Sequence, residues 1–115
     1  MQALVIRNYR AQYPDPLVLA KGDKIVLGER DSEYPAFIWA TNRQGKSGWV
    51  PVNVLDRSID EAYALQAYSA CELDADLGEV VDLVYETGGW WWAQNKLGKC
   101  GWLPASALEI DKGMV

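Results

Sequence analysis

The sequence predicts an all-β protein made of two small, five-stranded barrels in tandem. The first sign is a repeat. FIWATNRQGKSGWVP (37–51) and WWWAQNKLGKCGWLP (90–104) share an aromatic-x-Trp-Ala-x-Asn-x-x-Gly-Lys-x-Gly-Trp-x-Pro pattern without a gap, at an offset of 53. The second sign is local. Short β-branched or aromatic runs are bounded by glycine turns, and no helical period appears beyond a short turn near Pro51–Leu55 and Pro104–Leu108. The third is size, because 115 residues suffice for one ordinary domain or two very small ones.

The repeat extends upstream. PLVLAKGDKIVL (16–27) matches ELDADLGEVVDL (72–83) at an offset of 56, and VIRNYRA (5–11) matches ALQAYSA (64–70) at 59. The drifting offset places two three-residue insertions in the first copy, around Gln12–Asp15 and Arg30–Ala36, both in loops. The predicted domains are residues 1–56 and 62–110, with 57–61 as a short polar linker inside DRSIDE (56–61).

Each copy then reads strand by strand. KIVL and EVVDLV follow Gly-Asp and Gly-Glu turns, and FIWAT and WWWAQ are aromatic strands. Arg43–Gln44–Gly45 and Lys96–Leu97–Gly98 suit three-residue hairpin loops closed by a left-handed glycine. GWVP and GWLP return antiparallel. This register sets Gln94 opposite Cys100, Ala93 opposite Gly101 and Trp92 opposite Trp102.

Side chains alternate faces along a strand. Ala93 suits the core of a tiny barrel, so Trp91 faces inward with it, while Trp90 and Trp92 point outward. Trp92 and Trp102 form a cross-strand aromatic pair. Trp39 and Trp49 repeat it, with Phe37 in the place of Trp90. Two uses of these rings stand open: a binding platform, or packing of one repeat on the other.

Composition excludes several classes. Net charge is −5, against nucleic acid as a partner; residues 1–58 carry +2 and residues 59–115 carry −7. No apolar run nears the length of a membrane span, and MQALVIRNYR does not read as a secretory signal. A cytoplasmic location is expected, with Cys71 and Cys100 as ordinary reduced residues; a disulfide between them is the alternative. There is no His, no nucleophile beside a base and no metal-ligand spacing, so no enzyme, metal or cofactor is expected. Asp74 and Asp76 read as a solvated loop, and the glycines serve turns.

These motifs resemble the SH3 (Src homology 3) domain, twice over, across nearly the whole chain. The family's ALYDY segment resembles Ala64-Leu65-Gln66-Ala67-Tyr68 and Val5-Ile6-Arg7-Asn8-Tyr9. Its Glu-Leu and Gly-Asp/Glu pairs resemble Glu72-Leu73 with Gly78-Glu79, and Leu17 with Gly22-Asp23. Its paired tryptophans resemble Trp90-Trp91 and Phe37-Ile38, and its Gly-x-x-Gly-x-x-Pro stretch Gly98–Pro104 and Gly45–Pro51. YPDP (13–16) and the incomplete ALYDY motif suggest the variant SH3 domains of bacteria.

The resemblance implies a groove of aromatics that binds proline-rich peptides in their preformed polyproline II shape. The groove residues it implies are Tyr68, Trp90, Trp102 and Pro104 in the second copy, and Tyr9, Phe37, Trp49, Pro51 and Asn53 in the first. Trp92 and Trp39 extend the aromatic face. Glu72, Asp74 and Asp76 resemble the acidic loop that pairs with a basic peptide residue, whereas the first copy offers Asp15. Two groove tyrosines are missing: Arg7 and Gln66 replace one, Val54 and Ala107 the other.

The expected function is a non-catalytic module binding a protein or peptide segment that carries Arg/Lys or Pro, with neither nucleic acid nor membrane as partner. One alternative is a structural protein whose repeats dock on each other or across a homodimer. Another is binding of cell-wall peptide or glycan.

Overall fold

The computed structural model describes residues 1–13, 15–57 and 61–110. Residues 58–60 of the predicted linker and Pro14 of the YPDP stretch lie outside them. The elements in chain order are β1 (Gln2–Val5), β2 (Val18–Leu19), β3 (Lys24–Arg30), β4 (Phe37–Thr41), β5 (Ser47–Pro51), β6 (Leu55–Arg57), β7 (Ala62–Ala64), β8 (Tyr68–Ser69), β9 (Val80–Thr87), β10 (Trp90–Gln94), β11 (Cys100–Pro104) and β12 (Leu108–Ile110). Single 3-10 turns occupy Val52–Val54 and Ala105–Ala107, where the sequence predicts short turns. The all-β class is as expected, and no helix of the described residues is long and apolar enough to cross a membrane.

The chain divides into two compact units, and their boundaries differ from those of the repeats. One unit is contiguous, Tyr13–Cys71; the other is split, joining Met1–Gln12 to Glu72–Val115. The predicted barrels, 1–56 and 62–110, have therefore traded their first strands.

In the contiguous unit the strand order is β5-β4-β3-β7-β6, with β2 paired to β8. β7 comes from the second repeat. It runs antiparallel to β6, with Leu55 opposite Ala64 and Arg57 opposite Ala62. On its other side it pairs with β3, Ile25 opposite Ala62. In the split unit the order is β11-β10-β9-β1-β12. Here β1 fills the same slot, with Val5 opposite Leu108 and Ala3 opposite Val81.

The two slots are equivalent bond for bond. Leu65 N–H donates to the Val54 carbonyl at 2.8 Å, as Ile6 does to Ala107 at 2.8 Å. Gly22 N–H donates to Ala64 at 2.7 Å, as Gly78 does to Val5 at 2.8 Å. Connection length favours one half of the trade: the short link between β6 and β7 closes a local hairpin at little entropic cost, while β1 closes over a longer span, Val5 meeting Leu108, at a penalty that grows only with the logarithm of that span.

Within each unit the expected hairpin geometry holds. Trp92 faces Trp102, Ala93 faces Gly101 and Gln94 faces Cys100; Trp39 faces Trp49 and Ala40 faces Gly48. Gly45 and Gly98 are left-handed, each with φ of 83°. The repeated asparagine explains itself here. Asn42 Oδ1 accepts from the N–H groups of Gln44 and Lys46, both at 3.0 Å, and Asn95 Oδ1 accepts from Leu97 and Lys99, also at 3.0 Å. Each side chain thereby holds the turn closed.

The split unit's core is Ala3, Val5, Leu73, Ala75, Val81, Leu83, Ala93, Leu103 and Leu108, with Trp91 packed against it, facing inward as its alternation with Ala93 predicts. Leu17, Leu19, Ile25, Ala40 and Val50 are among the buried residues of the contiguous unit. Gly101 permits a tight corner, because a Cβ there would sit 2.7 Å from backbone atoms of Glu72 and Leu73. Cys71 and Cys100 are thiols, not a disulfide.

Candidate functional site

The split unit builds an aromatic site from both ends of its chain. Tyr9 N–H donates to the Ala75 carbonyl at 2.7 Å, and Ala75 N–H donates back to Tyr9 at 2.9 Å. This bridge sets the Tyr9 ring edge-on to Trp90, centroids 5.8 Å apart at 77°. Trp90 opens β10 opposite Pro104. Tyr9 and Trp90 are half-buried and Pro104 is buried, so the two rings offer the open surface and the proline lies beneath.

Trp92 and Trp102 form the expected pair, with centroids 5.3 Å apart at 70°. Their surroundings differ from the sequence expectation of an outward face. Tyr85 packs edge-on to Trp102 at 5.4 Å, and Trp102 is only 4% exposed. The cause is a bulge: β9 and β10 shift register between Trp92 and Ala93, so Leu83 faces Ala93 while Tyr85 faces Trp92. Partial desolvation against Trp102 pushes the pKa of the Tyr85 hydroxyl up, although the residue as a whole stays exposed. The alternation of Val81 and Leu83 gives no sign of this bulge, so Tyr85 is not legible in advance.

The acidic loop has a local use. Tyr9 Oη donates to Glu72 Oε1 at 2.8 Å, and Gln12 N–H donates to the same oxygen at 2.9 Å. Ala11 N–H donates to Asp74 Oδ1 at 2.7 Å, and Arg10 is ion-paired with Asp76. That contact with Asp76 pushes the Arg10 pKa up. Glu72, Asp74 and Asp76 thus fasten residues 9–12 to the split unit.

In the contiguous unit, Phe37 and Tyr68 are buried, 5% and 8% exposed. Tyr68 Oη donates to the Trp49 carbonyl at 3.1 Å, and Phe37 stands opposite Pro51, itself buried. The open rings there are Trp39 and Trp49, 5.0 Å apart at 71°, with Tyr13 beside Trp39 at 5.7 Å. A shallow cleft runs from this pair to Glu29, Arg30, Asp31 and Ser32. Asn53 is exposed, and Asp15 is paired with Lys46 at 2.9 Å. Tyr13, Glu29 and Asp31 lie in or beside the first copy's loop insertions, where a repeat comparison carries no signal.

The grouping of site residues is therefore recombined. Tyr9 joins Trp90, Trp92, Trp102, Pro104, Glu72, Asp74 and Asp76 in one unit. Tyr68 joins Phe37, Trp39, Trp49, Pro51 and Asn53 in the other.

Residues 3–56 match the family model described as "Variant SH3 domain". Over 97% of its length the chain is 25% identical to human SH3 and PX domain-containing protein 2B, and the mouse protein of that name gives the same figures. Over 93% it is 28% identical to the SH2/SH3 adapter protein dreadlocks of Drosophila melanogaster. The chain spans only 14% and 23% of these relatives' lengths. These relatives are animal proteins, whereas the sequence expectation drawn from the motif departures is the bacterial type. The matched segment is the sequence repeat, not the folding unit, since its first residues complete the split unit and the rest build the contiguous one. Barrel, motif order and family match thus agree that residues 3–56 are similar to the variant SH3 domains.

Proposed function

We propose that the chain is a non-catalytic protein-interaction module and that its main docking groove is the Tyr9–Trp90 surface of the split unit. The carrying observation is that these two half-buried rings stand edge-on at 5.8 Å. Phe37 and Tyr68, which occupy the corresponding places in the contiguous unit, are buried. A proline ring or the aliphatic stem of a basic residue can lie against the surface that the two rings form, and a cation gains from the Trp90 face.

The groove is shorter than the family pattern. Ala107 and Arg7 stand where further rings are expected, and the acidic loop is engaged by residues 9–12. Modest affinity follows, with recognition centred on one proline or basic side chain.

The test is Trp90→Ala against a library of basic, proline-containing peptides. Binding by the unaltered chain and its loss in the variant support the reading. Equal binding by both, or none by either, overturns it.

The Trp39–Trp49 pair carries a second reading. Glu29 and Asp31 border it together with Arg30, and the two carboxylates suit an Arg or Lys side chain laid over an indole. Trp39→Ala would then weaken basic peptides and leave neutral proline-rich ones unchanged.

A further inference from the structure

The slot that holds β1 is a complete strand-binding site. It supplies two antiparallel edges, β9 and β12, and β1 bonds to both. Val5 N–H donates to Glu79 at 2.8 Å, and Leu83 N–H donates to Met1 at 2.7 Å. The Ala3 and Val5 side chains enter the core, at 3% and 0% exposure. Glu72, Asp74 and Asp76 fasten the segment that follows. Emptied, the slot would leave two unpaired sheet edges, which bind another strand readily.

Covalently, the occupant is joined to this slot only through the whole contiguous unit, between Gln12–Tyr13 and Cys71–Glu72. That tie raises the local concentration of the strand and adds no contact inside the slot. The strand of another copy makes the same bonds, so the closed and exchanged forms differ only by the tie and the hinge. β7 is in a different position, since the short link to β6 holds it next to its own slot. The side chains that β1 itself buries most deeply, Ala3 and Val5, are small, and the larger contact the arm carries is Tyr9, packed on the core and on Trp90.

We propose that residues 1–12 form an exchangeable arm, and that two copies of this chain dimerise by each lending its arm to the split unit of the other. Tyr9 travels with the arm, so every Tyr9–Trp90 groove of the dimer is built from two chains. Dimerisation sets in as the concentration nears the effective concentration of the tie, on the order of millimolar.

The experiment uses the full chain with Cys71→Ser and Cys100→Ser. One population carries Gln2→Cys and the other Asp82→Cys. These exposed positions face each other, Gln2 Nε2 donating to Asp82 Oδ1 at 3.3 Å. The populations are mixed at high concentration, warmed briefly, oxidised and separated without reductant. A disulfide-linked pair holding one of each is expected, well above the yield when Leu97→Cys, on an exposed turn, replaces Asp82→Cys. Equal yields would mean random collision and overturn the proposal. So would internal closure of a Gln2→Cys/Asp82→Cys double variant with no mixed pair. Failure of that double variant to close at all overturns it as well, because the arm would not occupy the slot.

Discussion

Tyr9 meets Trp90 edge-on at 5.8 Å, although the two belong to different sequence repeats. Tyr68, which shares a repeat with Trp90, instead bonds to the Trp49 carbonyl at 3.1 Å. The aromatic site is thus assembled across the repeats, and this choice of partner has measurable consequences.

A double-mutant cycle reads the pairing directly. Tyr9→Ala and Trp90→Ala should couple by about 0.5–1.5 kcal/mol in chemical denaturation, as edge-on aromatic pairs do. Tyr68→Ala and Trp90→Ala should add independently. The opposite result would put each tyrosine back in its own repeat.

Gly48 and Gly101 hold equivalent places but meet different neighbours. A Cβ at Gly101 would lie 2.7 Å from backbone, whereas at Gly48 the nearest atom is the Leu17 side chain at 3.1 Å. Gly101→Ala should cost about 1–3 kcal/mol by overpacking, and Gly48→Ala less. Denaturant titration of the two variants decides the order.

The turn asparagines can be removed one at a time. Asn42→Ala or Asn95→Ala deletes two side-chain acceptor bonds, a loss of about 1–2 kcal/mol. Amide exchange should quicken first at Gln44 and Lys46 in one variant, and at Leu97 and Lys99 in the other. Unchanged exchange would show that the backbone alone closes these turns.

Glu61 supplies a pH handle. The Tyr63 hydroxyl, and then Lys24, hold its carboxyl pKa below the ordinary glutamate value. A carboxyl depressed in the folded chain stabilises it above that ordinary value, and the contribution fades as pH falls through the folded one. Tyr63→Phe should raise the Glu61 midpoint in a carboxyl NMR titration. A midpoint that stays put would discount the Tyr63 contact.

Much of this was legible because it is local. The facing of Trp92 and Trp102 follows from a three-residue loop and two-residue alternation. Left-handed Gly45 and Gly98 follow from hairpin geometry. Trp102's burial did not, because the bulge that brings Tyr85 over it breaks the alternation on the neighbouring strand. Nor did the trade of first strands. Ala3-Leu4-Val5 and Ala62-Tyr63-Ala64 fit the same slot, so pattern cannot say which barrel each enters. The one usable clue was the brevity of the link after Arg57, which favours a hairpin over a spacer. The acids at 72–76 were likewise visible as a cluster, but their hold on residues 9–12 depends on that trade.

A boundary drawn after Asp56, natural from the repeat, would sever both barrels at once. Each half would keep a strand that belongs to its neighbour. The two copies are therefore bound to a common fate: damage to one is felt in the other, and neither can be grafted, deleted or replaced alone. Residues 13–71 are the piece that leaves with everything it needs to close.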